Sequence, residues 1–108
     1  MRKPRKPQTI ISRGFAQLRK DGYFARQNFW CCNSCAWAAM TEEQGQKAVF
    51  YHMQEARSFK ETGNVYLAWS GDGEHIVNTF LKIGMNRRDI EWDGTPNRKI
   101  LLKNTWWY

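Results

Sequence analysis

The residues best suited to chemistry are three thiols within five positions: Cys31, Cys32 and Cys35. They sit in the stretch Phe29-Trp30-Cys31-Cys32-Asn33-Ser34-Cys35-Ala36-Trp37-Ala38-Ala39-Met40, which holds every cysteine of the chain and two of its six tryptophans. Cys32 and Cys35 have the Cys-x-x-Cys spacing of half a zinc site, where thiolate and imidazole ligands surround the ion as a tetrahedron. A second such pair is missing. A full site needs Cys31, His52 or His75 as well, and the set Cys32, Cys35 and His52 with zinc is the candidate centre. Adjacent cysteines such as Cys31 and Cys32 tend to diverge, which counts against both reaching one ion.

Two other readings stand beside metal. One is dithiol redox, in which the first thiol lies at a helix N-terminus that lowers its pKa, as in the thioredoxin motif. That motif follows a buried parallel strand, and Arg26-Gln27-Asn28 is too polar to read as one. The other is packing. Free cysteine behaves as a small apolar residue, and Cys35, Trp37 and Met40 recur at helical spacing.

The remaining candidates for catalysis are few. His52 lies in an apolar strand, where a satisfied structural role is expected. His75 falls in the first turn of a helix near Asp72 and Glu74, with no nucleophile placed beside it. Ser70 lacks the flanking glycines of a nucleophile elbow. Asp89, Glu91 and Asp93 alternate along one strand, as solvated charges do. The turn Ser70-Gly71-Asp72-Gly73 before a helix could hold an anion, but it lacks the three spaced glycines of a dinucleotide site. The expectation is a non-enzymatic protein.

The net charge of +7 is unevenly spread. Residues 1–26 contain Arg2, Lys3, Arg5, Lys6, Arg13, Arg19, Lys20 and Arg26 against Asp21 alone, which is the whole excess. The remainder balances nine cations with nine carboxylates. Such segregation suits a nucleic-acid-binding arm, or simply a solvated tail. Exposed aromatics at the chain end, Trp106, Trp107 and Tyr108, could stack on bases or anchor a protein interface. The expected function is binding to a nucleic acid or a nucleoprotein machine, through Arg2, Lys3, Arg5, Lys6, Arg13, Lys20, Arg26, Trp106 and Trp107. A phage-type inhibitor of host machinery fits the same facts. The alternative is a metal or thiol-redox domain built on the cysteines.

The elements that position these residues follow from pattern. Met1 to Gln8, with Pro4 and Pro7, reads as a disordered basic tail. Thr9 is a candidate cap for a helix to Lys20, with Ile11, Phe15 and Leu18 on one face. Gly14 weakens that helix by ~1 kcal/mol relative to alanine. A second helix starts at Asn33 or Ser34, and Thr41-Glu42-Glu43-Gln44 is a capping-box pattern at which it could restart. Lys47–Met53 and Asn64–Ser70 read as strands. Residues 54–63 read as a polar connection with one helical turn at Phe59. Asp72 caps a helix that Gly84 closes. Asp89–Asp93 and Arg98–Lys103 read as a hairpin. The expected fold is one α+β domain over 9–108, a four-stranded, mostly antiparallel sheet in the order α-α-β-β-α-β-β. The odd cysteine count and the absence of an apolar leader suggest a reducing cytoplasm. No apolar run approaches the ~20 residues that cross a bilayer.

One resemblance rests on particular motifs. Asp21-Gly22-Tyr23, Asn28-Phe29-Trp30-Cys31-Cys32-x-x-Cys35, Val49-Phe50-Tyr51-His52, Val65-Tyr66-Leu67-Ala68-Trp69 and Glu91-Trp92-Asp93-Gly94 together resemble a family of bacterial and phage domains of unknown function. The likeness runs over roughly residues 10 to 102 and leaves out the basic head and the Trp106-Trp107-Tyr108 tail. It implies an α+β fold. It implies no activity, and no catalytic residue is carried over from it.

Overall fold

The computed structural model describes residues 8–96, 98–105 and 108. Five α-helices and five strands lie among the described residues, as an α+β fold. Helix α1 spans Gln8–Lys20, so Thr9 lies inside it and is not its cap. Its apolar stripe behaves as the spacing predicts: Ile11, Phe15 and Leu18 are buried. Arg13, Gln17 and Lys20 face solvent.

The sheet runs β1 (Phe24–Arg26), β2 (Ala48–Phe50), β3 (Val65–Trp69), β5 (Ile100–Leu102), β4 (Ile90–Glu91). The expected four strands are therefore five. The extra one, β1, pairs parallel with β2, and the other three pairings are antiparallel. β1 escapes a pattern search because it has only three residues. Gln27 and Asn28 after it are polar, and Ala25 is the one residue in it that is buried.

Three strand residues in register fix the two faces of the sheet. Ala25, Val49 and Trp69 share one face; Arg26, Phe50 and Ala68 share the other. On the first face lies the main core, closed by α1, by α5 (Gly73–Lys82) and by Phe59 of α4 (Met53–Thr62). On the second, α2 (Asn33–Ala39) sets Ala36 and Trp37 against Phe50 and Ala68. The segment expected as a polar connection is a helix from Met53 to Thr62. A ten-residue α4 forms because its buried Phe59 and half-buried Ala56 give it an anchoring face, and Gly63 at φ 75° ends it. The capping box is present: Thr41 Oγ1 accepts from Gln44 N–H, and Gln44 Oε1 accepts from Thr41 N–H. It starts a separate helix, α3 (Glu42–Gln46).

Gly14 has a packing reason. A Cβ there would lie 2.2–2.8 Å from ring carbons of Phe80, and that ring is wholly buried. Alanine at this position improves helix propensity by ~1 kcal/mol but drives α1 off α5. We expect Gly14→Ala to lose a net ~1–2 kcal/mol in urea unfolding. A gain in stability would show that the two helices are not in direct contact here.

Candidate metal centre

The cysteines sit where β1 hands the chain to α2. The connecting loop turns sharply: Asn28 and Trp30 have φ of 51° and 62°, a left-handed region that side chains other than glycine seldom occupy. Backbone bonds hold it in place. Phe29 N–H donates to Tyr51 O at 2.9 Å, and Met53 N–H donates to Trp30 O at 2.8 Å. Phe29 packs edge-on against Phe24 and Phe50, whereas Trp30 stays 53% exposed.

Cys32 is the N-cap of α2. Its neighbours converge on it and do not diverge: the three sulfurs all lie within 4.8 Å of one another, with Cys31 Sγ and Cys32 Sγ 3.9 Å apart. Cys31 and Cys35 are exposed and Cys32 is half-buried. This overturns the packing reading, and it overturns the objection to adjacent cysteines. The extended backbone of Cys32 (φ −154°, ψ 172°) precedes the first helical turn, which brings Cys35 back toward the pair. The Cys32 thiol is held below its usual range, first by the backbone N–H of Cys35, then by the Cys35 and Cys31 thiols. Cys35 is pushed up to about 11, because its proton is shared with Cys32 and, less, with Cys31. The strand before this motif is parallel after all, though it lies at the sheet edge. Three close thiols of this kind could hold a metal ion.

His52 is not brought into the cluster. It is buried, caps α4 and accepts the Glu55 N–H on Nδ1 at 3.2 Å. That bond needs a neutral ring. Desolvation first, then Lys99, lowers the His52 pKa. The folded value lies below the unfolded one, so this histidine contributes stability above about pH 6.5, lost as pH falls through the folded value. We expect thermal melts between pH 7.5 and 5.5 to show that loss, and His52→Asn, which keeps a capping side chain, to reduce it. An unchanged pH dependence in that variant would assign the effect to other groups.

The other predicted site residues lie away from the thiols or outside the described residues. Arg2, Lys3, Arg5, Lys6, Trp106 and Trp107 lie outside the described residues, as does the expected tail up to residue 7. Arg13 and Lys20 face solvent on α1, and the Arg13 guanidinium donates to Ile83 O. Arg26 lies on the opposite sheet face, its guanidinium 4.4 Å above the Phe24 ring. The Arg26 guanidinium also donates to Ala25 O, the carbonyl that Arg19 of α1 reaches, so Arg26 lies beside the C-terminal end of that helix. The glycine turn spends its donors internally. Asp72 Oδ1 accepts the Glu74 and His75 N–H groups, and the Asp72 N–H donates to the Tyr23 hydroxyl. A carboxylate thus fills the position an anion would take. Ser70 is structural: its hydroxyl donates to Gly45 O and accepts the Ala48 N–H. Asp89 is buried, bonded to Asn104 and the Tyr108 hydroxyl.

One pairing was invisible in the sequence. His75 Nε2 lies 2.8 Å from Asp21 Oδ2, and its ring stacks on Tyr23. The His75 hydrogen bond is the main reason the Asp21 carboxyl sits below its usual range. Fifty-four positions separate the partners, so no local signal connects them.

A family profile described as a domain of unknown function (DUF6891) matches residues 11–108. The chain belongs to this family. The match takes in the Trp106-Trp107-Tyr108 tail, so the resemblance reaches further than residue 102. The matched span includes the segment from Phe29 to Met40, which in this chain supplies the thiol cluster and the helix that carries it. No curated protein and no solved structure gives a match to the chain.

Proposed function

We propose that this chain is a non-enzymatic binding protein whose Cys31, Cys32 and Cys35 hold a thiophilic metal ion, zinc above others. The convergence of three sulfurs within 4.8 Å carries the reading. Two thiolates on one tetrahedral zinc, each at ~2.3 Å, stand about 3.8 Å apart, close to the 3.9 Å between Cys31 and Cys32. Soft thiolate sets select zinc or copper(I) over magnesium and calcium. Because the cluster is open to solvent, water or a partner side chain takes the fourth position. No helix among the described residues is long and apolar enough to cross a membrane.

The test is elemental analysis of protein purified under reducing conditions without added metal. About one zinc per chain is expected, released when the thiols are alkylated. Metal-free protein that alkylates fully at all three thiols and takes up no added zinc would sink the proposal.

A further inference from the structure

The second face of the sheet is only half covered. Over Phe50 and Ala68 lies α2; beyond it Tyr66, Glu91 and Lys99 are exposed and Leu101 is half-buried. Tyr66 pairs in register with Leu101, and Leu101 with Glu91, so the three share this face. Tyr66 is 48% exposed in the middle strand of the sheet. Around it runs an open groove of about 590 Å³, whose lining includes Tyr66, Leu101, Trp92, Arg87 and Lys99.

The charges of this groove are unequal. Its carboxylates are engaged: Glu91 pairs with Lys103 at 3.4 Å and Asp93 with Arg98 at 3.8 Å. Arg87 and Lys99 have no carboxylate within 4 Å among the described residues. From residue 87 to 103 the chain carries five cations against three carboxylates, and the third, Asp89, is buried. An exposed ring therefore shares one groove with two cations that have no carboxylate within 4 Å, while the Glu55 carboxylate beside it is engaged by the Tyr66 N–H at 2.8 Å.

We propose that this face binds single-stranded nucleic acid, with a base stacked on Tyr66 and phosphates at Lys99 and Arg87. The chemistry selects that occupant. Every base offers a flat face to an aromatic ring, and backbone phosphates repay free cations through counterion release. In a duplex the base faces are stacked away from such a ring. The site uses none of the three thiols, so it stands independently of the metal reading. It also lies on the globular body and not in the basic head.

The experiment is a fluorescence anisotropy titration of the full chain with labelled oligo-dT and oligo-U of about ten nucleotides at low salt. Tyr66→Ala should weaken binding by about 5- to 150-fold, the stacking of one base, and Tyr66→Phe should restore it. Lys99→Gln and Arg87→Gln should each flatten the slope of log K against log salt by about 0.7. Circular dichroism checks that the variants fold. Four results would overturn the proposal. They are no binding at low salt, full affinity in Tyr66→Ala, equal affinity for a duplex of the same length, and equal competition by polyglutamate. If Tyr66→Ala is silent while deletion of Met1–Lys6 abolishes binding, the site belongs to the basic head.

Discussion

Leu67→Ala should cost ~2–5 kcal/mol of stability. Leu67 has no exposed surface and sits at the centre of β3, the middle strand, in register with Ile100. It belongs to one cluster with Trp69, Phe80 and the half-buried Ile90. Truncation removes its contacts and leaves a void, because flanking strands on both sides limit collapse of the backbone. For a domain of this size the midpoint of thermal unfolding should fall by roughly 10–25 °C. Its neighbour supplies the control. Tyr66 points to the other face and is half exposed, so Tyr66→Ala should stay within about 0.5 kcal/mol of wild type. A Leu67→Ala loss below about 0.5 kcal/mol would mean that the strand parity is inverted, since a one-residue slip exchanges the faces.

Legibility in the sequence followed how far each signal reached. Elements with a full period of pattern were readable: the stripe Ile11, Phe15, Leu18 on α1, the alternation Val65, Leu67, Trp69 on β3, and the caps Thr41 and Asp72. Each of these encodes its structure within a dozen residues. β1 was not readable, because three residues cannot show a period. Its strand character comes from β2, more than twenty positions away. α4 was obscured by its composition. Its one fully buried apolar side chain, Phe59, is enough once Tyr51 stacks edge-on against it.

The site was legible in part. Spacing identified the thiols, and the Cys32–Cys35 interval placed them on one helical turn. Spacing could not say that Cys31 turns inward to join them, since that depends on the left-handed Trp30 and on the Trp30–Met53 backbone bond. It gave His52 as a ligand on residue type alone. The structure instead commits its Nδ1 to the start of α4, a role fixed by where that helix begins.

Serine in place of Cys31 should weaken zinc binding by more than about 100-fold, as should serine at Cys32 or at Cys35. Loss of a ligand costs more than the 10- to 100-fold typical of a group that merely orients one. The equality of the three effects is the informative part. In the apo protein each change should be nearly silent for stability. Cys31 and Cys35 are exposed, and serine at Cys32 is itself a favoured N-cap. Wild-type protein at zinc 100-fold above its dissociation constant should gain ~2.7 kcal/mol over its apo form. That gain should vanish at the same zinc concentration in each variant. Cys31 separates metal from redox chemistry. A dithiol couple needs only Cys32 and Cys35, so Cys31→Ser would leave it intact. If Cys31→Ser keeps full zinc affinity, the three-sulfur site is wrong. If it also forms a Cys32–Cys35 disulfide under mild oxidant, the cluster is a redox pair with an adjacent spectator thiol.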